Sequence, residues 1–180
     1  MATNLSLNEE TQAGLVEEAA AFATLAHEGQ KRKVGGQPYI VHPQRVVQIL
    51  RDVGVTDWET LAAAWLHDVL EDTDAVLDLR FFPGVASVVR ELTRNKRIHP
   101  DKNAYLVGFA HKSHKAVTIK LADRYDNLLE GSQTMGGPWI QKYCIGAGVL
   151  LKAAMDSGAL KEGPAVLLFG KLKKLRDSLV

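Results

Sequence analysis

Apolar residues recur along most of this chain with a helical rather than a strand period. Leu15, Ala19, Phe22, Ala23 and Ala26 fall on one helical face and predict a first helix over residues 8–28. Ser6 and Glu9, just ahead of that run, have the spacing of a capping box. From Gly29 to Pro43 the pattern breaks. Gly29, Gly35, Gly36 and Pro38 make this a loop, with room for a short hairpin near residues 29–43. Pro43 suits the first turn of a second helix, where its missing N–H costs nothing, and Val46, Val47, Ile49 and Leu50 give that helix its apolar side. Thr56 and Glu59 repeat the capping-box spacing and open a helix running through Leu61, Ala62, Trp65, Leu66 and Val69. Further helices are predicted over 84–94, 101–111 and 115–130. Glu130 to Pro138 reads as an internal linker, followed by helices over 138–156 and 163–177. Lys171, Lys173, Lys174 and Arg176 gather at the end of the last one, where positive charge complements the helix dipole. With no alternating strand pattern and no internal repeat, the expected fold class is all-α.

Composition narrows the picture. The 180 residues suit one domain, expected to span residues 1–180, and 46% hydrophobic with 24% charged residues excludes general disorder. Lys+Arg at 22 against Asp+Glu at 21 leaves a net charge of +1, which argues against a nucleic-acid partner. Cys144 is the single cysteine, so an intrachain disulfide and a cysteine-cluster metal site are both excluded. Residues 1–5 lack the basic and apolar regions of a signal peptide, and no apolar run approaches the ~20 residues of a membrane span. The expectation is a cytoplasmic protein with no membrane partner. The oligomeric state is left open.

The segment His67-Asp68-Val69-Leu70-Glu71-Asp72 carries the chemistry. On a continuous helix His67 would stack over Glu71, and Asp68 over Asp72, one turn apart. His67 and Asp68 could then reach one point beside the helix. An adjacent imidazole and carboxylate favour a first-row divalent metal over calcium. Such an ion can lower the pKa of bound water and polarise a phosphoryl oxygen, and a carboxylate one turn away can move the proton. The plainer reading is four polar residues ending a helix in water.

Two other positions can complete such a site. His42 precedes Pro43 at a loop-to-helix junction, where a lone histidine is more often a cap or a core residue. Asp123 closes the apolar stretch Ile119-Lys120-Leu121-Ala122, and its plainer partner is Lys120 or Arg124 in a salt bridge. Asn127 lies one turn beyond it. His27 reads as packed, His99, His111 and His114 as solvated, and Lys96-Arg97 as surface charge. Cys144 reads as core, and Trp58, Trp65 and Trp139 as core or rim.

Taken in order, these pieces resemble the HD-domain metal-dependent phosphohydrolases. More narrowly, the chain is similar to the hydrolase domain of the RelA/SpoT alarmone enzymes and to the stand-alone small alarmone hydrolases. The matching text is Ala26-His27-x-Gly29-Gln30-x-Arg32-Lys33, then Pro38-Tyr39-Ile40-Val41-His42-Pro43, then His67 to Thr73, then Lys120-Leu121-Ala122-Asp123-Arg124-x-x-Asn127, within about residues 15–130. The resemblance implies an HD-type helical bundle. It makes His42, His67, Asp68 and Asp123 the ligands of one metal, typically manganese. It makes Glu71 and Asp72 the pair that activates and orients water. It places Asn127 at the sugar and Arg32 and Lys33 at the base and phosphate side of a nucleotide. The implied reaction is hydrolysis of the 3′-pyrophosphate of (p)ppGpp to GDP or GTP plus pyrophosphate, the chemistry of the stringent response.

Two departures stand out. The loop Val34-Gly35-Gly36-Gln37 is one residue longer than usual in that family. After Asp123 the chain reads Tyr125-Asp126-Asn127-Leu128-Leu129-Glu130, where the long enzymes have a His-Asn-Met-Arg-Thr-like run. Two alternatives therefore stay open: an HD phosphohydrolase acting on another nucleotide or a phosphomonoester such as the 2′-phosphate of NADPH, and a non-catalytic alarmone-binding module.

Overall fold

The stripe from Leu15 to Ala26 forms helix α1 (Glu9–Ala26). Its N-cap is Asn8, whose side chain accepts the Thr11 N–H at 2.8 Å, rather than Ser6, which lies outside the described residues. A computed structural model describes residues 7–76, 83–161 and 163–180 of the chain. The glycine-rich loop after α1 folds back as a minimal hairpin, with a single antiparallel bridge between Lys31 and Pro38. Arg32 N–H donates to the Gln37 carbonyl at 2.8 Å, and Gly35 and Gly36 turn the chain with φ of 74° and 69°. Those left-handed angles are open to glycine at no steric cost.

Helix α2 (Val41–Asp52) carries Pro43 in its first turn, as its fixed φ favours. Helix α3 (Trp58–Leu66) is capped by Asp57, which accepts the Thr60 N–H at 3.0 Å; the expected Thr56–Glu59 box does not form. The helix also does not continue to Val69. It ends at Leu66, and α4 (Val69–Asp72) starts a new turn with Asp68 at its N-cap. Then come α5 (Pro83–Leu92), α6 (Lys102–Val107), a 3₁₀ turn (Gly108–His111), α7 (His114–Thr134), α8 (Gly137–Asp156) and α9 (Pro164–Asp177). Among the described residues there is no strand beyond the isolated bridge, so the architecture is all-α.

The expected linker at 130–138 is mostly helix. α7 runs through Glu130 and Gly131 to Thr134, and only Met135 and Gly136 separate it from α8. Packing overrides the glycine signal: a Cβ on Gly131 would lie 2.1 Å from the Trp139 ring, so the bare backbone there lets α8 close onto α7. α7 is the hub, touching α2, α3, α5, α8 and α9. Residues 116–124 of α7 are buried on every side, as the middle of a central helix must be. Ile119, Leu121 and Leu128 are fully buried, each contributing about 1.5–3 kcal/mol relative to exposure. Into this hub the sequence also places Lys120, Asp123, Arg124 and Asp126, all buried. Among the described residues no helix is long and apolar enough to cross a membrane.

Candidate metal centre

Charged residues inside a hub helix need partners, because burying an unpaired charge is prohibitive. Asp123 finds them from two directions. Its Oδ2 pairs with Lys120 Nζ at 2.7 Å, so the salt bridge expected as the plainer reading does form. Its Oδ1 faces His42 Nε2 at 3.1 Å and accepts the Asn127 amide at 2.5 Å. His42 comes from the first turn of α2. His67 and Asp68 come from the break between α3 and α4. That break is what aims them: Asp68 has φ −102° and ψ −8°, off the helical values. Although aspartate is among the best N-caps, its side chain makes no cap bond to α4. Instead Asp68 Oδ2 lies 3.1 Å from His67 Nε2 and 3.7 Å from His42 Nε2, and accepts the Tyr39 hydroxyl at 2.7 Å.

Four donor atoms thus converge from α2, the α3–α4 break and α7, although the spacing-based picture of a continuous His67–Asp72 helix does not hold. His42, His67 and Asp123 offer ligand atoms within 4.8 Å of one another, and all three are buried. Donors held 2.0–2.2 Å from one ion stand roughly 3–3.5 Å apart. The closest contacts here, 3.1 Å for His42–Asp123 and 3.1 Å for His67–Asp68, match that spacing. A second observation agrees. His67 Nδ1 is bonded to the Ala64 carbonyl at 2.7 Å, while its buried Nε2 makes no hydrogen bond. An orphaned imidazole nitrogen aimed at two carboxylates is the arrangement a cation completes. The donor set of imidazole and carboxylate fits a first-row divalent ion.

The electrostatics point the same way. Burial opposes the charged form of His67, yet Asp68 and then Asp123 lift its pKa to about 9. Burial likewise works against ionised Asp123, but Lys120 foremost, with His42, holds it well below the usual carboxylate range. Asp68 is lowered too, chiefly by His67 against the burial penalty. Tyr39 is pushed far up by burial and then by Asp68, so its hydroxyl remains a donor. His27 stacks on Tyr39 with ring centroids 4.5 Å apart, a packed role as expected from the sequence.

A cavity of about 520 Å³ opens from this corner. Asp68 and Asp123, at the corner, form its floor, and Glu71, Asp72, Arg32, Lys33 and Asn127 also line it, so every remaining residue singled out from the sequence borders it. Glu71 is fixed by the Arg94 N–H at 3.0 Å, and Lys96 lies 3.6 Å from Glu71 and 3.2 Å from Asp72. Lys96 is therefore more than surface charge. Arg32 borders the cavity with its guanidinium occupied: it pairs with Glu130 at 2.5 Å and donates to Asn127 Oδ1 at 2.9 Å. Free positive charge on this loop is carried by Lys31 and Lys33, both exposed. Sequence reading missed the part of the lining formed by Lys102, Tyr105, Trp139 and Tyr143. Trp139 and Tyr143 stack at 4.4 Å, and Arg124 lies over Tyr143 at 4.2 Å. Tyr143 and Trp139 stand one turn apart on α8, a spacing visible in the sequence, and Trp139 packs on Gly131. Cys144 is core, and His99, His111 and His114 are exposed, as read.

Residues 19–134 match the profile of the HD domain, a stretch that contains every donor of the corner. The chain belongs to the HD-domain family. This HD domain is 37% identical over 170 residues to guanosine-3′,5′-bis(diphosphate) 3′-pyrophosphohydrolase MESH1 of Homo sapiens, covering 88% of this chain and 95% of that one. It is 34% identical over 164 residues to the protein of the same name from Xenopus tropicalis, covering 85% and 92%. With bifunctional (p)ppGpp synthase/hydrolase SpoT of Escherichia coli it shares 36% identity over 130 residues, which are 66% of this chain and 18% of SpoT. Among solved structures, one described as "A metazoan ortholog of SpoT hydrolyzes ppGpp and plays a role in starvation responses" superposes with a TM-score of 0.78 at 31% identity, covering 91% of this HD domain and 94% of that chain.

Proposed function

We propose that this HD domain hydrolyses the 3′-diphosphate of guanosine 3′,5′-bis(diphosphate), releasing GDP and pyrophosphate, with one divalent ion, manganese, held by His42, His67, Asp68 and Asp123. The observation that carries the reading is the orphaned His67 Nε2 facing buried Asp123 and the largely covered Asp68, in a cavity that Lys31, Lys33 and Lys102 also line. The named activities of the full-length relatives support the substrate. A bound divalent ion would supply Lewis acidity toward a phosphoryl oxygen and lower the pKa of water.

The chain's own residues do the rest. Glu71 and Asp72 project from α4 beside the corner and take the proton from the attacking water. Arg94 and Lys96 hold those two carboxylates in place. Tyr39 donates to both Asp68 and Asp72, at 2.7 and 3.2 Å, and so ties the ligand to the proton acceptor. Asn127 faces the ribose. Arg32 keeps Asn127 oriented, and Lys33 and Lys102, which both line the cavity, attract the phosphates. The stacked Trp139 and Tyr143 offer a flat apolar surface to the base.

The test is incubation of purified protein with Mn²⁺ and, separately, ppGpp, pppGpp, NADPH and common nucleotides, with products separated by chromatography. GDP plus pyrophosphate from ppGpp is expected. Faster release of phosphate from NADPH overturns the substrate assignment, and no turnover of any of them overturns the enzyme reading.

A further inference from the structure

The two histidines of the corner differ in what stands behind them. His67 Nδ1 donates to a main-chain carbonyl of its own helix, Ala64, at 2.7 Å. His42 Nδ1 instead lies 2.7 Å from Oδ2 of Asp126, a carboxylate 84 residues away on α7. Asp126 is buried and holds the position just before Asn127, where the chain departs from the run of the long enzymes. It was not among the residues that the motifs single out.

Asp123, Asp126 and Asn127 are spaced i, i+3 and i+4 on α7, so they share one face. All three meet the His42 ring: Asp123 at Nε2 (3.1 Å), Asn127 at Nε2 (3.5 Å) and Asp126 at Nδ1 (2.7 Å). Asp126 is itself held from behind. Arg45, one turn after His42 on α2, donates through Nε to Asp126 Oδ1 at 2.7 Å and through Nη2 to Oδ2 at 3.0 Å. The same Nη2 reaches Glu130 at 2.9 Å, and Glu130 pairs with Arg32. A carboxylate needed only to neutralise Arg45 has no reason to lie at hydrogen-bond distance from an imidazole. A carboxylate clamped by a bidentate guanidinium cannot swing away from that imidazole.

We propose that Asp126, clamped by Arg45, is a positioning residue for the metal centre: it keeps the proton of His42 on Nδ1 and leaves the Nε2 lone pair toward Asp68 and Asp123. A neutral imidazole carries one N–H, and the acceptor on one side decides which nitrogen is free on the other. A carboxylate behind the ring also makes the free nitrogen a stronger donor than a carbonyl does. His42 is thus the histidine of the pair whose metal affinity a side-chain substitution can tune. This role rests on the metal-site reading above.

Mn²⁺ affinity, read from the EPR signal of the free ion well below the melting temperature, tests it without turnover. Asp126→Asn keeps the size and an acceptor oxygen but loses the charge; Asp126→Ala loses both. Affinity should fall by about 10–100-fold, more for alanine than for asparagine, and Arg45→Met should show a smaller loss in the same direction. In Zn²⁺-loaded protein labelled with ¹⁵N-histidine, wild type should show His42 protonated at Nδ1, and Asp126→Ala should shift that resonance. Wild-type affinity in a folded Asp126→Asn protein, with only the melting temperature lowered, overturns the role. If the alanine variant does not fold, the isosteric asparagine variant decides. Wild-type protein that binds no Mn²⁺ at all overturns the metal reading itself, and this role with it.

Discussion

The floor and the walls of the cavity are built on opposite principles. On the floor, Asp123 contacts Lys120, His42 and Asn127 at 2.5–3.1 Å, and His42 is held at both nitrogens. Its side chains come from α2, the α3–α4 break and the hub helix itself, and His42, His67 and Asp123 are buried. On the walls, Lys31, Lys33 and Lys102 are exposed, and none has a carboxylate within ion-pair distance among the described residues. A ligand set must be fixed to a few tenths of an ångström, because the ion does not adapt to misplaced donors. Phosphates at the end of a flexible substrate need charge more than geometry. Removing a floor residue should therefore damage fold, metal and rate together, whereas removing a wall residue should weaken substrate use alone.

The largest contrast comes from Asp123→Ala. It removes a proposed ligand and leaves Lys120 buried without its partner, so it should abolish turnover, lose Mn²⁺ binding and cost about 3–5 kcal/mol of stability in denaturant titration. Next is Glu71→Gln, which borders the floor without belonging to it. Metal affinity should stay unchanged while kcat falls about 10²–10⁴-fold. A loss within a few-fold would remove Glu71 from the proton transfer. On the walls, Lys33→Ala and Lys102→Ala should each reduce kcat/KM for ppGpp by ~10–100-fold, the worth of a charged hydrogen bond, with Mn²⁺ affinity and melting temperature preserved. Loss of metal binding in either variant would merge wall and floor. The smallest effect is screening. Raising ionic strength to about 0.3 M should raise KM a few-fold through the exposed lysines, while the buried Lys120–Asp123 pair leaves stability nearly unmoved.

How far the sequence discloses this arrangement differs between the two regions as well. Helix periodicity places most of the elements, because apolar stripes report which face is buried. The four proposed ligands emerge from motif order, which can be read whatever surrounds each residue. Local signals fail where packing decides. The break at His67–Asp68 carries no glycine or proline to announce it. Gly131 suggests a linker, yet it lies mid-helix because Trp139 needs the space. The pairs His42–Asp126, Arg45–Glu130 and Arg32–Glu130 join residues 84, 85 and 98 positions apart, separations that no local pattern reveals. They also change the reading of Arg32, whose charge looks available in the sequence and is occupied in the fold. The lining by Lys102 and Tyr143 was illegible for a related reason: they reach the cavity only once α6 and α8 have packed together.

On the proposed function, the floor is a metal-dependent hydrolytic centre. Protein stripped with a chelator and then titrated with Mn²⁺, with GDP and pyrophosphate release from ppGpp followed at each addition, tests this most directly. No product before addition and saturation at one equivalent per chain is the predicted result. Undiminished turnover by the stripped protein would contradict it.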